Sequence, residues 1–325
     1  MQMREMGEFN FIKSVADDTI YDMSTVICGI GDDCAVYKAK KGYHQLVSTD
    51  MMVEGIHFSS KTTAPFDIGY RLGTANISDI AAMGGVPRQV VIAVAAPPDG
   101  NSQRLQEIYE GLKSICKTHH VNIIGGDTVR TDGPLTVSLT IIGEVPEETE
   151  LYRSGAQVGD VVGITNTIGD SAVGLKALLD NARGYSHCKR VHQRPEPQVY
   201  LGNVLRSLGA HAMNDISDGL GSELNEIAHA SGVAIEIDET AMRFHPEVIQ
   251  WAKKKEISPW SFALYGGEDF QLVFTIPEDI VNEVSALEGI QLIGHVVSGA
   301  PGVCLRTAQG EKKIIPAQGY NHFSK

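Results

Sequence analysis

Five short acidic clusters are the residues of this chain best suited to chemistry. Each ends an apolar run or lies on a predicted helix, and they read Gly31-Asp32-Asp33, Ser48-Thr49-Asp50, Ser78-Asp79, Gly125-Gly126-Asp127 and Asp215-Ile216-Ser217-Asp218. Carboxylates and hydroxyls are the hard oxygen ligands that suit Mg²⁺. Strand ends and helix faces can direct side chains to one point, where carboxylates repel each other unless cations lie between them. The sequence therefore predicts a magnesium-dependent phosphate site.

Asp79 gives the sharpest argument for a metal. It lies seven residues after Leu72 on a predicted helix, hence within roughly 20° of it at about 100° per residue, and Met83 lies one turn further on. The carboxylate is therefore placed on an apolar stripe. An unpaired charge there is costly, so Asp79 should hold a metal ion or be satisfied by backbone or arginine donors.

Taken singly, the other clusters also allow structural interpretations. The first fits an ordinary turn, the second a helix cap, and the two glycines of the fourth either a tight turn or the close approach of a phosphate. The last fits a helix N-cap as well as a phosphate-binding helix terminus. Together they imply several metal ions on a polyphosphate, because one Mg²⁺ takes only one or two carboxylates. The chain has no G-x-x-x-x-G-K-[ST] loop and no kinase-type glycine-rich loop with its lysine, so metal ions would have to neutralise the phosphates.

Size and composition exclude several classes of function. A chain of 325 residues is expected to form two domains of roughly 150 residues each. Its 27 basic and 40 acidic residues give a net charge of −13, which argues against nucleic acid or an anionic membrane as the main partner. The five cysteines are widely spaced without a C-x-x-C pair, which favours reduced thiols and a cytoplasmic location. The strongest apolar run, Val90 to Ala96, is too short to span a bilayer.

The periodicity of apolar residues predicts alternating strands and helices in both halves. In the first half we predict helices over 65–83 and 102–119 and strands over 24–29, 44–49, 89–96, 121–124 and 135–143. The acidic stretch 146–150 lacks apolar periodicity and marks the expected domain boundary. In the second half we predict helices near 170–182, 197–208, 219–230 and 278–287 and strands near 158–164, 233–237, 270–276 and 291–297. Two α/β domains follow, although the strand order cannot be derived from sequence.

Eight motifs, in this order, resemble the thiamine-monophosphate kinase family, which belongs to the superfamily of aminoimidazole-ribonucleotide synthetase and selenophosphate synthetase. They cover nearly the whole chain and lie at 29–35, 48–58, 76–84, 125–128, 153–156, 215–220, 266–269 and 319–323. The resemblance implies a two-domain α/β (α+β) fold like that of aminoimidazole-ribonucleotide synthetase. Residues 1–148 would form a metal- and ATP-binding domain whose mixed sheet joins a homodimer, and residues 149–325 would form the second α/β domain.

The activity that the resemblance implies is ATP-dependent phosphorylation of thiamine monophosphate to thiamine diphosphate, with ATP as co-substrate and several Mg²⁺ ions as cofactors. It assigns catalysis to Asp50, Asp127 and Arg153. It assigns ATP binding to Gly126, Asp127, Arg153, Ser217 and Tyr109. It assigns thiamine phosphate binding to His57, Glu268 and Tyr320. It assigns metal binding to Asp33, Ser48, Thr49, Asp50, Asp79, Asp127, Asp215 and Asp218.

Elementary chemistry agrees with this assignment. The attacking group would be a phosphate oxygen of the substrate, whose second pKa of about 6 leaves it mostly deprotonated, so no general base is required. What must be supplied is in-line positioning and neutralisation of two anionic phosphates, which metal ions and Arg153 can provide. The cationic thiazolium suits the aromatic face of Tyr320 or the carboxylate of Glu268.

Structural interpretations of these residues remain open at this point. Tyr109 lies on an apolar stripe, where core packing is the better interpretation. Tyr320 could pack the chain terminus, Glu268 could be a turn acid and His57 a structural histidine. Arg153 could be an ordinary surface arginine.

Other functions within and outside the superfamily are less well supported. Selenophosphate synthetase would call for a reactive Cys or Sec in a glycine-rich N-terminal segment, and the hydrogenase-maturation relatives for a C-terminal Cys, but this chain ends in His322-Phe323-Ser324-Lys325. Aminoimidazole-ribonucleotide synthetase is the nearest enzymatic alternative. A non-catalytic protein that binds Mg²⁺ and nucleotide is the alternative from another class.

Overall fold

The chain forms two compact units. The computed structural model describes residues 5, 14–28 and 36–319. One unit comprises residues 1–80 and 85–148, and the other comprises residues 81–84 together with 149–325. A short antiparallel pair, β1 (Val26–Cys28) and β2 (Val36–Tyr37), precedes the main sheet of the first unit.

A four-stranded mixed sheet is the frame of the first unit. Its strands follow the order β3 (Tyr43–Val53), β6 (Thr136–Pro146), β4 (Val86–Ala96) and β5 (Asn122–Arg130). The first two pairs are antiparallel, whereas β4 and β5 are parallel. Helix α2 (Ser102–Thr118) connects the two parallel strands, because parallel neighbours require a long crossover.

The two faces of this sheet have different environments. One face carries Val137, Leu139 and Ile141, which are fully buried, and Ile80 of helix α1 (Pro65–Ala82) approaches Gly143 on that same face. The opposite face is open in the single chain and leaves its apolar side chains exposed, namely Val47, Met51 and Val129.

Helices α1 and α2 are in backbone contact. A Cβ atom added to Gly69 would lie 1.8 Å from the carbonyl oxygen of Ile108, and one added to Gly111 would lie 1.7 Å from that of Phe66. No side chain fits at either crossing, so both glycines are required by packing. This close approach fixes α1, the helix that carries Asp79, against α2.

The second unit is built on a seven-stranded sheet. Its strand order is β13 (Lys312–Ile315), β12 (Gly302–Arg306), β9 (Ala234–Asp238), β11 (Ile290–Val297), β7 (Val161–Thr165), β10 (Gln271–Ile276) and β8 (Ala212–Ile216). All neighbours are antiparallel except β12 and β9. The helices are α3 (Asp170–Leu179), α4 (Ser186–Gln193), α5 (Val199–Leu208), α6 (Leu220–Ser231), α7 (Pro246–Lys255), α8 (Pro259–Tyr265) and α9 (Val281–Ser285), with a 3₁₀ turn at Glu278–Ile280.

Hydrophobic layers cover both faces of this second sheet. Val273 of β10 packs in one layer with Leu220, Leu224 and other residues of α6. Its neighbours Leu272 and Phe274 pack in the other layer, which includes α5. Both faces are therefore buried, as the continuous apolar runs of β7, β8 and β10 indicate.

Most long elements lie where the sequence predicts them, but two polar motifs do not end strands. The two long helices of the first unit match the predictions within one residue. Strand β3, however, runs on to Val53 through Ser48-Thr49-Asp50, and β5 runs on to Arg130 through Gly125-Gly126-Asp127. The expected strand ends there were wrong. Thr49 and Asp127 point to the open face of the sheet, which accepts polar side chains within a strand, and Ser48 on the other face bonds to Asp79.

Several elements were not predicted at all. These are helices α4, α7 and α8 and strands β2, β8, β12 and β13. None of the helices in the described part of the chain combines the length and the apolar character that crossing a membrane requires.

Candidate active site

The first unit places Ser48, Asp50 and Asp79 together. The hydroxyl of Ser48 on β3 donates a hydrogen bond to Oδ2 of Asp79 on α1. Burial, the nearby Asp79 charge and a hydrogen bond with it raise the pKa of the Asp50 carboxyl to about 7. Oδ2 of Asp50 is buried and accepts no hydrogen bond from any residue in the described ranges.

Two carboxylates and a hydroxyl in this arrangement form a good site for a hard cation. Two neighbouring carboxylates repel each other when both are ionised, and a buried acceptor without a donor is costly. A divalent cation would remove both penalties. The donor set contains only oxygen, which matches the preference of Mg²⁺.

Thr49 and Asp127 lie on the opposite, open face of the same sheet. The hydroxyl of Thr49 is 3.1 Å from that of Thr140 and donates to the Leu139 carbonyl at 3.0 Å. Asp127 is exposed, and the strand register aligns it with Ala93, Ser138 and Met51, which also face outward. Three strand spacings separate Asp127 from β3, about 14 Å along the sheet. Within one chain, Asp127 therefore lies apart from the Asp50 and Asp79 group.

Gly126 is required by strand packing. A Cβ atom at this position would lie 2.1 Å from the carbonyl oxygen of Ile92 on the neighbouring strand. At Gly125 the nearest atom would be a Val91 side-chain carbon at 3.6 Å, an ordinary contact. The second glycine of the pair thus has a structural reason that is independent of phosphate.

Tyr109 and His57 differ in their surroundings. Tyr109 is 6% exposed in α2, and burial raises the pKa of its phenol. His57 is half-buried, and its Nδ1 accepts a hydrogen bond of 3.0 Å from the Val53 N–H. The proton of the neutral ring is therefore on Nε2, which suits donation to an anionic group. The side chain of fully buried Arg71 donates to the His57 carbonyl and fixes this loop.

Asp33 and Tyr320 lie outside the described residues. Gly319, the last described residue, packs against Asp218, where an added Cβ atom would lie 2.8 Å from the Asp218 Cβ.

In the second unit, Arg153 and the Asp215 to Asp218 segment are connected by a hydrogen-bond network. Nε of Arg153 donates to Oδ1 of Asn214 at 3.1 Å, and Nδ2 of Asn214 donates to Oε2 of Glu223 at 2.6 Å. Oε1 of Glu223 accepts from the Asp218 N–H at 3.1 Å and from the Ser217 hydroxyl at 3.5 Å. Asp215 is 5% exposed and faces the same group of acids.

As at Asp50, burial and neighbouring acidic residues raise the pKa of a carboxyl group in this region. Burial and the charges of Asp215, Glu226 and Asp218 raise the pKa of Glu223 to about 8, against the opposing effect of the Asp218 N–H. The cation within the network is Arg153, which pairs with Glu226 at 3.1 Å at the surface. A further cation would stabilise the ionised form of these carboxylates.

Glu268 lies beside the Ser217 segment in a strained backbone conformation. Its φ is +66°, and its N–H donates to the Ser217 carbonyl at 2.7 Å. A carboxyl oxygen lies 3.8 Å from Nδ1 of buried His192. A left-handed conformation at a non-glycine residue is typical of functional loops that the surrounding structure holds in place.

Three comparisons identify the family of this chain. Residues 31–145 match the model of the AIR synthase related protein N-terminal domain, and residues 157–303 match that of its C-terminal domain. The thiamine-monophosphate kinase of Bacillus subtilis (strain 168) is 39% identical over 98% of this chain and 100% of its own length. This chain belongs to the thiamine-monophosphate kinase family.

Solved structures of this family have the same fold. The thiamine-monophosphate kinase of Stenotrophomonas maltophilia K279a superposes with a TM-score of 0.83 at 30% identity, over 94% of this chain and 98% of that one. AaThiL complexed with AMPPCP and TMP superposes with a TM-score of 0.79 at 30% identity, over 99% of each chain. The expected two-domain α/β fold with mixed sheets is thereby confirmed.

Two residues at the centre of the network, Asn214 and Glu223, were not predicted from the sequence. Glu223 lies three residues after Leu220 and four before Ile227, on the apolar stripe of α6. An acid on an apolar helix stripe is the same signal that marks Asp79. Asn214 carries no comparable signal, because an asparagine in a short apolar strand indicates nothing about its partners.

Asp170, His187 and His245 in the second unit are residue types that can bind a metal ion, but the two histidine rings are stacked on each other. The rings of His187 and His245 lie 3.7 Å apart with 13° between their planes, and Nε2 of His187 is 3.4 Å from Asp170. One ion cannot lie in two near-parallel ring planes at this separation. In addition, Nδ1 of His245 accepts the Glu247 N–H that caps α7.

Proposed function

We propose that this protein transfers the γ-phosphoryl group of ATP directly to thiamine monophosphate, with Mg²⁺ ions, and releases thiamine diphosphate and ADP. Family membership supports the reaction, and the solved structure of AaThiL, which is 30% identical to this chain, is a complex with AMPPCP and TMP. The observation in this chain that carries the proposal is the Ser48, Asp50 and Asp79 group with its unsatisfied carboxyl oxygen.

The residues present fit a requirement for Mg²⁺. Ser48, Asp50 and Asp79 would hold metal in the first unit, and Asp215 and Asp218 would do so in the second. When bound, the ions would neutralise the negative charge of the phosphates. Asp33, Thr49 and Asp127 keep their predicted roles as further ligands.

The remaining work of the protein is positioning. The acceptor phosphate is its own nucleophile, so the described side chains need to orient it rather than deprotonate it. We assign Arg153 and Ser217 to the nucleotide, together with the backbone at Gly126. We assign His57, through its Nε2–H, and Glu268 to thiamine phosphate, with Tyr320 as a further contact. Tyr109 is buried and is better explained as core.

We further propose that two copies of this chain pair through the open face of the first sheet. Val47, Met51 and Val129 are each at least half exposed there, an apolar surface that a second copy would cover. Thr49 and Asp127 share that face although they belong to strands at its opposite ends. A second copy would bring its Asp127 toward Thr49, which unites ligands that one chain keeps apart.

A direct assay tests the proposed reaction. Purified protein is incubated with ATP and Mg²⁺ and with thiamine monophosphate, thiamine or an amidine precursor of aminoimidazole ribonucleotide in turn, and the products are separated by chromatography. We expect thiamine diphosphate from thiamine monophosphate alone and none when EDTA replaces Mg²⁺. Turnover only with the amidine would support the synthetase alternative, and binding of Mg²⁺ and nucleotide without any turnover would support a non-catalytic protein.

A further inference from the structure

Helix α6 contacts both segments that the proposed function assigns to the nucleotide. Glu223, in its first turn, binds the Ser217 and Asp218 segment. Ser231, in its last turn, accepts the N–H groups of Gly155 and Ala156 and donates to the Arg153 carbonyl. Eight residues separate the two contacts, about 12 Å along the helix axis. The helix therefore sets the distance between the two segments.

Asn214 connects the same two segments through side chains. Its Oδ1 accepts from Arg153 Nε and from the Asp215 N–H, both at 3.1 Å, so its orientation is fixed. Its Nδ2 is consequently directed to the carboxylates of Glu223 at 2.6 Å and Glu226 at 3.1 Å. Each polar atom of this amide has a defined partner.

Burial of Glu223 at this place would be costly if the role were only structural. The side chain is 3% exposed, and the charges of the acids Asp215, Glu226 and Asp218 add to burial in raising its pKa. Apolar residues of similar size often stabilise a fold as well as or better than buried charges do. What an apolar residue cannot do is accept from Asn214 on one oxygen and from Asp218 and Ser217 on the other.

We propose that Asn214 and Glu223 are positioning residues of the nucleotide site. They hold the Arg153 guanidinium at a fixed separation from the Ser217 hydroxyl and the Asp218 carboxylate. The groups that bind phosphate and metal are therefore in position before the nucleotide arrives. The proposal rests on the proposed function for the role of those three residues. It adds the requirement that one residue of the Asn214 and Glu223 pair donates the hydrogen bond between them and the other accepts it.

The test exchanges the hydrogen-bond donor and the acceptor between Asn214 and Glu223. Glu223→Gln alone directs an amide N–H₂ at that of Asn214, and Asn214→Asp alone directs a carboxylate at that of Glu223. The double variant restores one donor opposite one acceptor and keeps the acceptors for Arg153, Asp215, Asp218 and Ser217. We expect each single substitution to raise KM for ATP roughly 10- to 100-fold, because two donors or two acceptors then face each other in a buried place. The double variant should recover at least about tenfold of that combined loss.

Asn225→Ala is the matched control. Asn225 is a buried amide on the same helix that donates to the Gly221 and Ile315 carbonyls and to none of the network atoms. It should lower the melting temperature and leave KM for ATP within about twofold of the wild-type value. Unchanged KM in both single variants, or losses that simply add in the double variant, would overturn the proposal.

A binding measurement separates this proposal from the proposed function. The affinity of full-length protein for Mg²⁺·AMPPCP is measured by calorimetry for wild type and all variants. If wild type makes no thiamine diphosphate but the affinity follows the predicted pattern, the proposed function fails and the positioning role stands. If wild type is active and the affinity does not respond to the exchange, the positioning role fails alone.

Discussion

At the scale of single residues, Asp50 combines the clearest signs of a metal ligand. It is largely buried, lies beside Asp79 and has an oxygen without a hydrogen-bond partner among the described residues. We expect Asp50→Asn to lower kcat/KM at least about 100-fold, because charge stabilisation at the phosphates is lost. The thiamine diphosphate assay measures this, and full activity of the variant would contradict the metal assignment.

The same residue predicts how stability without metal depends on pH. The pKa of Asp50 rises from 3.8 in the unfolded chain to about 7 in the fold. Between these two pH values the native state keeps a proton on Asp50 that the unfolded chain has released. The contribution of Asp50 to stability is therefore present at low pH and is lost as pH rises through about 7. We expect Asp50→Asn to unfold at a higher temperature than wild type in EDTA at a pH of about 8, and to gain less at about 5. An equal gain at both pH values would mean that ionisation of Asp50, buried and beside Asp79, is not the cause.

At the scale of elements, the contact between β4 and β5 explains one glycine of the Gly125-Gly126 pair. A methyl group at Gly126 would lie 2.1 Å from a backbone oxygen, which neither strand can avoid without moving. We expect Gly126→Ala to destabilise the protein by about 1–3 kcal/mol, as overpacking does. Urea unfolding measures this.

Gly125→Ala is the paired control, since its methyl group would make only a 3.6 Å contact. It should change stability by less than about 0.5 kcal/mol. Equal stability of the two variants, with nucleotide binding weakened only in Gly126→Ala, would instead show that Gly126 serves phosphate approach alone.

At the scale of the whole molecule, the open sheet face predicts a dimer. Met51→Lys places a charge in the middle of the proposed interface and should yield monomers with reduced activity. Ile314→Lys alters a side chain that is 85% exposed on β13 and should leave the mass unchanged. Light scattering measures both, and a wild-type monomer at micromolar concentration would contradict the prediction.

Mixed dimers test whether the site is shared. If Asp127 completes the site of the partner copy, Asp50→Asn and Asp127→Asn chains are each inactive, but hybrids contain one site with both wild-type residues. After unfolding and refolding an equal mixture, about a quarter of wild-type activity should return, since half the dimers are hybrids and half their sites are intact. No recovery from a mixture shown to contain hybrids would place both residues in one chain's site.

The sequence alone was enough to predict the class of chemistry. Oxygen ligands at repeated positions, the acid on an apolar helix stripe and the lack of a lysine-bearing phosphate loop indicate metal-assisted phosphate chemistry, because they depend on residue type and on helical periodicity. The motif order then led to the family, which the comparisons confirmed.

Only the tertiary structure decided which of these residues meet. Ser48 and Asp50 face Asp79, whereas Thr49 between them faces the other way, because strand residues alternate and β3 does not end at Asp50. The distance of Asp127 from Asp50 follows from strand order, which depends on contacts far apart in the chain. The connection of Arg153 to Ser217 through Asn214 and Glu223 depends on how α6 packs against β8, and no local pattern carries that information.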